Sequence, residues 1–81
     1  MNTYDSMKDE LIDYLLQAKQ PEQMDNRLQQ LLTPTEYDEV CKRLQIFKML
    51  KQGIPQRKIA EQLGVGIATV SRGARALKEE E

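Results

Sequence analysis

The side chains that could carry chemistry in this sequence are few, and those that cluster are basic. There is no histidine, and Cys41 is the single cysteine. The nucleophile–base pairs of covalent catalysis are therefore absent. No Cys/His spacing offers a zinc site. Cys41 has no partner for an internal disulfide, and as a free thiol it is expected in the core, where such residues are usually buried and inert. Asp9, Glu10 and Asp13 fall near helical spacing, but acidic side chains are normally solvated, so they read as an exposed face. There is no Gly-rich phosphate loop. These absences argue against an enzyme and against a metal or other cofactor.

The informative stretch is Gln56–Arg75, QRKIAEQLGVGIATVSRGAR. Ile59 and Leu63 lie four apart, on one side of a short helix. Val65 and Val70 supply partners from a turn and a second helix. Ala60 is small where the two helices would cross. Gly64 stands where the chain must reverse within a few residues, and a positive φ is cheap only for glycine. Two short helices at a steep angle follow, a helix–turn–helix. The outer face of the second helix would carry Gly66, Ile67, Ala68, Ser71, Arg72 and Arg75. Small residues at the leading end and basic ones behind suit entry into a DNA major groove. A plain helical hairpin is the alternative.

The elements that must position this unit are also helical. Met7, Leu11, Tyr14, Leu15 and Ala18 form one stripe of a helix over Tyr4–Gln20. Met24, Leu28, Leu31 and Leu32 repeat the spacing from Pro21 to Leu32. Thr33-Pro34-Thr35-Glu36 combines a capping threonine, a proline suited to the first helical position, and a glutamate that can complete a capping box. A third helix then runs to about Gln52, on the order of 27 Å, with Gly53 as a left-handed stop. Its inner stripe is read as Tyr37, Val40, Leu44, Phe47 and Leu50, with Ile46 and Met49 outside it. A helix apolar on more than one side is usually buried on more than one side, so the second side is expected to face another subunit. Helix four is placed at about 55–62, with Pro55 opening it. Helix five covers about 67–78, with Val70, Ala74 and Leu77 inward, and Glu79–Glu81 is read as a fraying tail. The expected fold class is all-α, five helices in one domain over 1–81. Residues 1–53 would serve dimerisation, and 55–78 would form the helix–turn–helix.

Charge separates along the same line. The whole chain of 81 residues has a net charge of −1, which taken alone argues against nucleic acid. Residues 1–40 hold three basic and nine acidic side chains, whereas 41–78 hold nine basic ones and one acid. Such asymmetry points to nucleic-acid contact. A mean hydropathy of −0.66 and the lack of a long apolar run exclude a membrane span, and no secretory leader is visible. A cytoplasmic location is expected. A chain of this size buries only about 60% of its unfolded surface, and without disulfide or metal the remaining means of stabilisation is a second copy of itself.

Residues 31–78 resemble the bacterial Trp repressor family. The matching blocks are LLTPTE at Leu31–Glu36, Arg43 within KRLQIFKMLKQG, QRKIAEQLG at Gln56–Gly64 and GIATVSRG at Gly66–Gly73. The last is the most specific, since Arg-Gly inside a recognition helix is unusual. The resemblance implies an intertwined all-helical homodimer that presents two helix–turn–helix units to successive major grooves of a palindromic operator in double-stranded DNA, roughly 34 Å apart. Carried over residue by residue, it implies that Arg57 contacts phosphate, that Gly66, Ile67, Ala68, Thr69 and Ser71 lie at base edges, and that Lys78 contacts the backbone. Ile67 and Ala68 offer bases only apolar contact, so water and DNA shape would carry much of the specificity.

The resemblance also implies L-tryptophan as corepressor, its indole between Arg43 and Arg72, with Leu32, Thr33 and Gly73 at other pocket positions. The sequence departs from the family at several points. Ala76 stands where the family places a serine toward the ligand amino group, a bond of about 1.5–3 kcal/mol. Gln30 stands in place of a leucine. The turn before Gln56 is one residue shorter, and the family's final helix has no counterpart after Lys78. The expected function is sequence-specific transcriptional repression by DNA binding in a bacterial cell, with L-tryptophan as the implied corepressor. The alternatives are a ligand-independent regulator on the same fold and a helical protein-interaction module.

Overall fold

The computed structural model describes residues 3–80. It contains α1 (Thr3–Leu16), α2 (Pro21–Leu31), α3 (Pro34–Lys51), α4 (Gln56–Leu63) and α5 (Ile67–Glu80). There is no strand among the described residues. The all-α expectation of five helices holds. The helices fall into two compact units, one through Tyr37 and the other from Asp38 onward. The division lies within α3.

The first unit is joined by polar side chains. No residue of α1 or α2 is buried. Arg27 of α2 stacks its guanidinium 4.3 Å from the centre of the Tyr14 ring. It also donates to the Tyr14 carbonyl and, at 3.2 Å, to Gln17 Oε1. The Tyr14 hydroxyl in turn donates to Gln30 Oε1 at 2.8 Å. Gln30, the departure noted above, is thus occupied in bracing α2 against α1. The expected α1 stripe is covered only toward its end: Tyr14, Leu15 and Ala18 are half-buried, whereas Met7 and Leu11 are exposed.

Helix α1 stops at Leu16, earlier than the expected Gln20. The ring of Pro21 disfavours helical backbone at Gln20, which is extended with φ −127° and ψ 153°. Gln23 Oε1 then accepts the backbone N–H groups of Lys19 and Gln20, at 2.7 and 3.3 Å. This cap competes with continuing α1. The start of α3 follows the sequence reading closely. The Glu36 N–H donates to Thr33 Oγ1 at 3.1 Å, and the Thr33 N–H donates to Glu36 Oε1 at 2.8 Å. That reciprocal pair satisfies two donors a helix start would otherwise leave open.

The second unit has an apolar core of Ile46, Ile59 and Val70, at 1%, 0% and 0% exposure. Each comes from a different helix: α3, α4 and α5. Met49, Leu50, Ile54, Ala60, Leu63 and Val65 pack around them. Two glycine stops turn the chain between these helices. Gly53 has φ +82°; its N–H donates to the Leu50 carbonyl and that of Ile54 to the Met49 carbonyl, at 3.0 and 3.1 Å. Gly64 has φ +66°, and the Val65 N–H donates to the Ala60 carbonyl at 3.1 Å. In each turn the residue after the glycine returns to the core, as left-handed helix ends commonly arrange.

Four expectations for this unit need correction. On α3 the core residue is Ile46, which the sequence stripe placed outside, whereas Val40 and Leu44 are 46% and 56% exposed. The reason lies on α5. Gly73 is buried, and a Cβ built there would come within 2.8 Å of Ile46 Cγ2. The absent side chain lets α5 approach α3 at Ile46, and that contact selects the face of α3 that turns inward. Cys41 is exposed rather than in the core, because it lies off the face that Ile46 selects. Helix α5 continues through Glu80, beyond the expected Lys78; Glu81 lies outside the described residues. Helix α4 begins one residue after Pro55, whose carbonyl accepts the N–H groups of Lys58 and Ile59.

Two outcomes follow from this packing. Gly73→Ala should destabilise the fold by about 1–3 kcal/mol, since the added methyl meets the β-branched stem of a buried isoleucine; urea unfolding measures this directly. The second concerns Asp25. Its carboxyl is held below the ordinary aspartate value, first by the Gln29 amide and then by the Tyr37 hydroxyl. A depressed folded-state pKa gives stability that is present at neutral pH and is lost as pH falls through the folded value. Acid titration of the helical signal should therefore show Asp25→Asn to be less acid-sensitive than the parent chain.

Candidate nucleic-acid interface and effector pocket

Helices α4 and α5 are two short helices joined by a three-residue turn, Gly64–Gly66. Ile59 and Val70 clamp them at the crossing, and Ala60 keeps the approach close. The turn ends at Gly66, whose carbonyl accepts the N–H groups of Thr69 and Val70 at 3.1 and 3.4 Å. With Val70 and Gly73 turned into the core, the opposite face of α5 is left to solvent. Ile67 at its leading end is half exposed, and Ala68, Arg72, Arg75 and Lys78 are exposed. Arg57 is exposed on the first turn of α4. Helix–turn–helix proteins present this constellation to DNA, the second helix offered to a major groove and the first crossing the backbone.

Ser71 is the exception on that face. It is half-buried, and its hydroxyl donates to Gln56 Oε1, the first residue of α4, at 2.8 Å. The sequence reading missed Gln56. Fifteen positions separate the two residues, and no local pattern connects them.

A second feature lies on another side of α5. A recess of about 270 Å³ is lined by Arg43 and Phe47 of α3 and by Thr69, Arg72, Gly73 and Ala76 of α5. Two guanidiniums border it and no carboxylate lines it. A phenyl ring stands one helical turn from Arg43, and a glycine and an alanine leave room for a flat group. The arrangement fits a planar apolar ligand bearing an anionic group. Guanidinium planes stack on aromatic faces, and they bind carboxylates by charge-assisted hydrogen bonds.

With the helix pair, its basic outer face and the recess described, comparison with known proteins identifies the family. A family model described as Trp repressor protein matches residues 6–81. The chain belongs to the Trp repressor family. Members of the Trp repressor family are transcriptional regulators, not enzymes. The chain is 43% identical over 70 residues to a Trp operon repressor homolog of Vibrio cholerae, covering 85% of this chain and 68% of that one. It is 42% identical over 72 residues to a Trp operon repressor homolog of Photobacterium profundum, covering 88% and 70%. A homolog of the same description from Aliivibrio fischeri is 46% identical over 52 residues, covering 63% and 48%. No solved structure matches.

The residues expected from the Trp repressor resemblance are distributed as follows. Gly66 closes the turn, and Ile67 and Ala68 form the leading end of α5. Arg43, Arg72 and Gly73 meet at the recess, joined there by Thr69, which had been expected at base edges. Gly73 therefore serves two ends at once: it admits Ile46 on one side and leaves the recess open on the other. Leu32 and Thr33 belong to the first unit. Leu32 is the half-buried residue that ends α2, and the Thr33 hydroxyl is engaged in capping α3. Phe47 is an addition to the expected pocket set. Its spacing from Arg43 was the available signal, since residues four apart share a helix face. No helix among the described residues is long and apolar enough to cross a membrane.

Arg72→Ala combined with Arg75→Ala should abolish measurable duplex binding at moderate salt while leaving the helical circular dichroism unchanged, since both side chains are exposed. A parent chain that binds no duplex would point instead to a protein-interaction module.

Proposed function

We propose that this chain is a sequence-specific DNA-binding transcriptional repressor that acts as a homodimer on a palindromic operator in the bacterial cytoplasm. The observation that carries the reading is the α4–α5 pair, locked by Ile59 and Val70 around a left-handed Gly64, with a solvent-facing surface on α5 of small residues followed by basic ones. Arg57 and Lys78 are assigned to phosphate. Gly66, Ile67 and Ala68 are assigned to base edges. Neutralising phosphates releases counterions, so affinity falls steeply with salt. The homodimer is supported by the apolar side chains left exposed on α1 and α3, among them Tyr4, Met7, Leu11, Val40 and Leu44. Among the described residues three side chains are fully buried, a small core for a chain with no disulfide. The resemblance to intertwined dimers names the covering surface as a second copy.

The recess beside Arg43 and Arg72 is assigned to an effector, with L-tryptophan as the ligand the family implies. The guanidiniums suit its indole faces and carboxylate. Ala76, which lines the recess, provides no hydroxyl to its ammonium. That absence favours a second reading, a regulator that binds DNA without a ligand.

Selection of bound duplexes from a random library, with and without L-tryptophan, tests both readings. An enriched palindrome is expected. Enrichment that depends on tryptophan identifies the corepressor, enrichment without it identifies the ligand-independent regulator, and no enrichment rejects sequence-specific binding. Calorimetry adds a residue-level readout: Ala76→Ser should tighten L-tryptophan binding by about 10- to 100-fold, the worth of one hydrogen bond to a charged group. Sedimentation equilibrium should give a dimer at micromolar concentration.

A further inference from the structure

A second groove, about 480 Å³, runs beside α5 and is lined by Leu50, Gln56, Ala74, Arg75, Leu77 and Lys78. Its apolar wall comes from Leu50, Ala74 and Leu77. Its polar groups are a guanidinium, an ammonium and a carboxamide, with no carboxylate among them. The Gln56 carboxamide is not free to turn, because the Ser71 hydroxyl donates to its oxygen at 2.8 Å. That leaves the two N–H groups of Gln56 as its remaining donors. Serine has one proton to give, and here it is given to Gln56, so Ser71 is poorly placed to read a base as a donor.

We propose that Gln56, Arg75 and Lys78 form a clamp for the phosphate backbone of the DNA, and that Ser71 is a positioning residue that orients Gln56 within it rather than a reader of bases. The proposal rests on the DNA-binding reading above, in which Lys78 already faces phosphate, and adds Gln56 and Arg75 to that contact and a positioning role for Ser71. The partner is chosen by charge and distance. Three donors without an acid suit phosphate, whose recognition uses arginine, lysine, glutamine and backbone donors. Arg75 lies eight residues beyond Ile67, so it stands about 12 Å farther along the helix axis. A major groove is about 8.5 Å deep. With Ile67 at the base edges of an inserted α5, Arg75 and Lys78 stand at the rim, where the phosphates are. Gln56 comes from the first turn of α4, the helix that crosses the backbone in motifs of this kind, so the clamp draws on both helices of the motif.

The test is titration of the full-length chain and its variants into a short fluorescent duplex of mixed sequence over a range of salt concentrations, because phosphate contacts act on any sequence. Gln56→Ala and Ser71→Ala should each weaken binding by about five- to tenfold, the worth of one hydrogen bond. Neither should change the dependence on salt, because no charge is lost. Ser71→Thr should restore affinity. The double variant Q56A/S71A should bind no more weakly than Q56A, since the two side chains act as a unit. Arg75→Ala and Lys78→Ala should each lower the salt slope by about 0.9 per clamp.

Three results would overturn the clamp. Ser71→Ala could leave mixed-sequence affinity intact while altering the preferred base at one position of selected duplexes, which would make Ser71 a base reader. It could lower the melting temperature yet leave the affinity of the folded chain unchanged, which would make its bond to Gln56 purely structural. The Arg75 and Lys78 variants could keep the parental salt slope. A parent chain that binds no duplex at any salt would instead reject the DNA-binding reading, and the clamp with it.

Discussion

The close approach of α5 to α3 at Gly73 and Ile46 governs the second unit. A side chain at position 73 would collide with Ile46, and without one the two helices meet closely enough for Val70 and Ile59 to complete a sealed core. Three buried residues from three helices are a small apolar reserve. Close packing makes them sufficient to hold a local structure, because dispersion is lost quickly when atoms separate by even half an ångström.

That contact also sets the orientation of α5. Once Val70 and Gly73 turn inward, the remaining sides of the helix have separate roles. One side, with Thr69, Arg72 and Ala76, meets Arg43 and Phe47 around the recess. Another carries Ala74, Arg75, Leu77 and Lys78 along the second groove. Between them lies the outer face that begins at Ile67 and Ala68. Arg72 borders the recess and is exposed beside that outer face, so a ligand at its guanidinium would act next to the surface assigned to DNA. A net charge of −1 is no obstacle to such a surface. The cations are concentrated in the second half of the chain, and an acidic first half would limit the indiscriminate binding a uniformly basic protein shows.

The first unit is organised differently. It has no buried residue in α1 or α2 and relies on Tyr14, Arg27, Gln30, Asp25 and Tyr37 to bond one segment to another. Polar contacts of this kind fix relative position but bury little apolar area. Met7, Leu11, Leu16 and Leu31 therefore remain exposed on a chain of a size at which apolar burial is scarce.

Much of this was legible from residue order, and the legible parts were local. The cap at Thr33 and Glu36, the left-handed stops at Gly53 and Gly64, and the helical stretches themselves depend on steric and hydrogen-bonding rules that span four or five residues. The helix–turn–helix was readable for the same reason; that Arg43, Arg72 and Gly73 meet at one recess was expected from the family resemblance and not from local rules. The inward face of α3 was not legible. That helix is apolar on several sides, and periodicity alone could not choose Ile46 over Val40 and Leu44. The choice is made by a missing side chain on a distant helix, and Cys41 is exposed as a consequence. Phe47 at the recess and the bond from Ser71 to Gln56 were hidden likewise, because each joins residues on different helices. Local order wrote the helices and their ends; which faces meet depended on where side-chain volume is absent, a property of the packed chain.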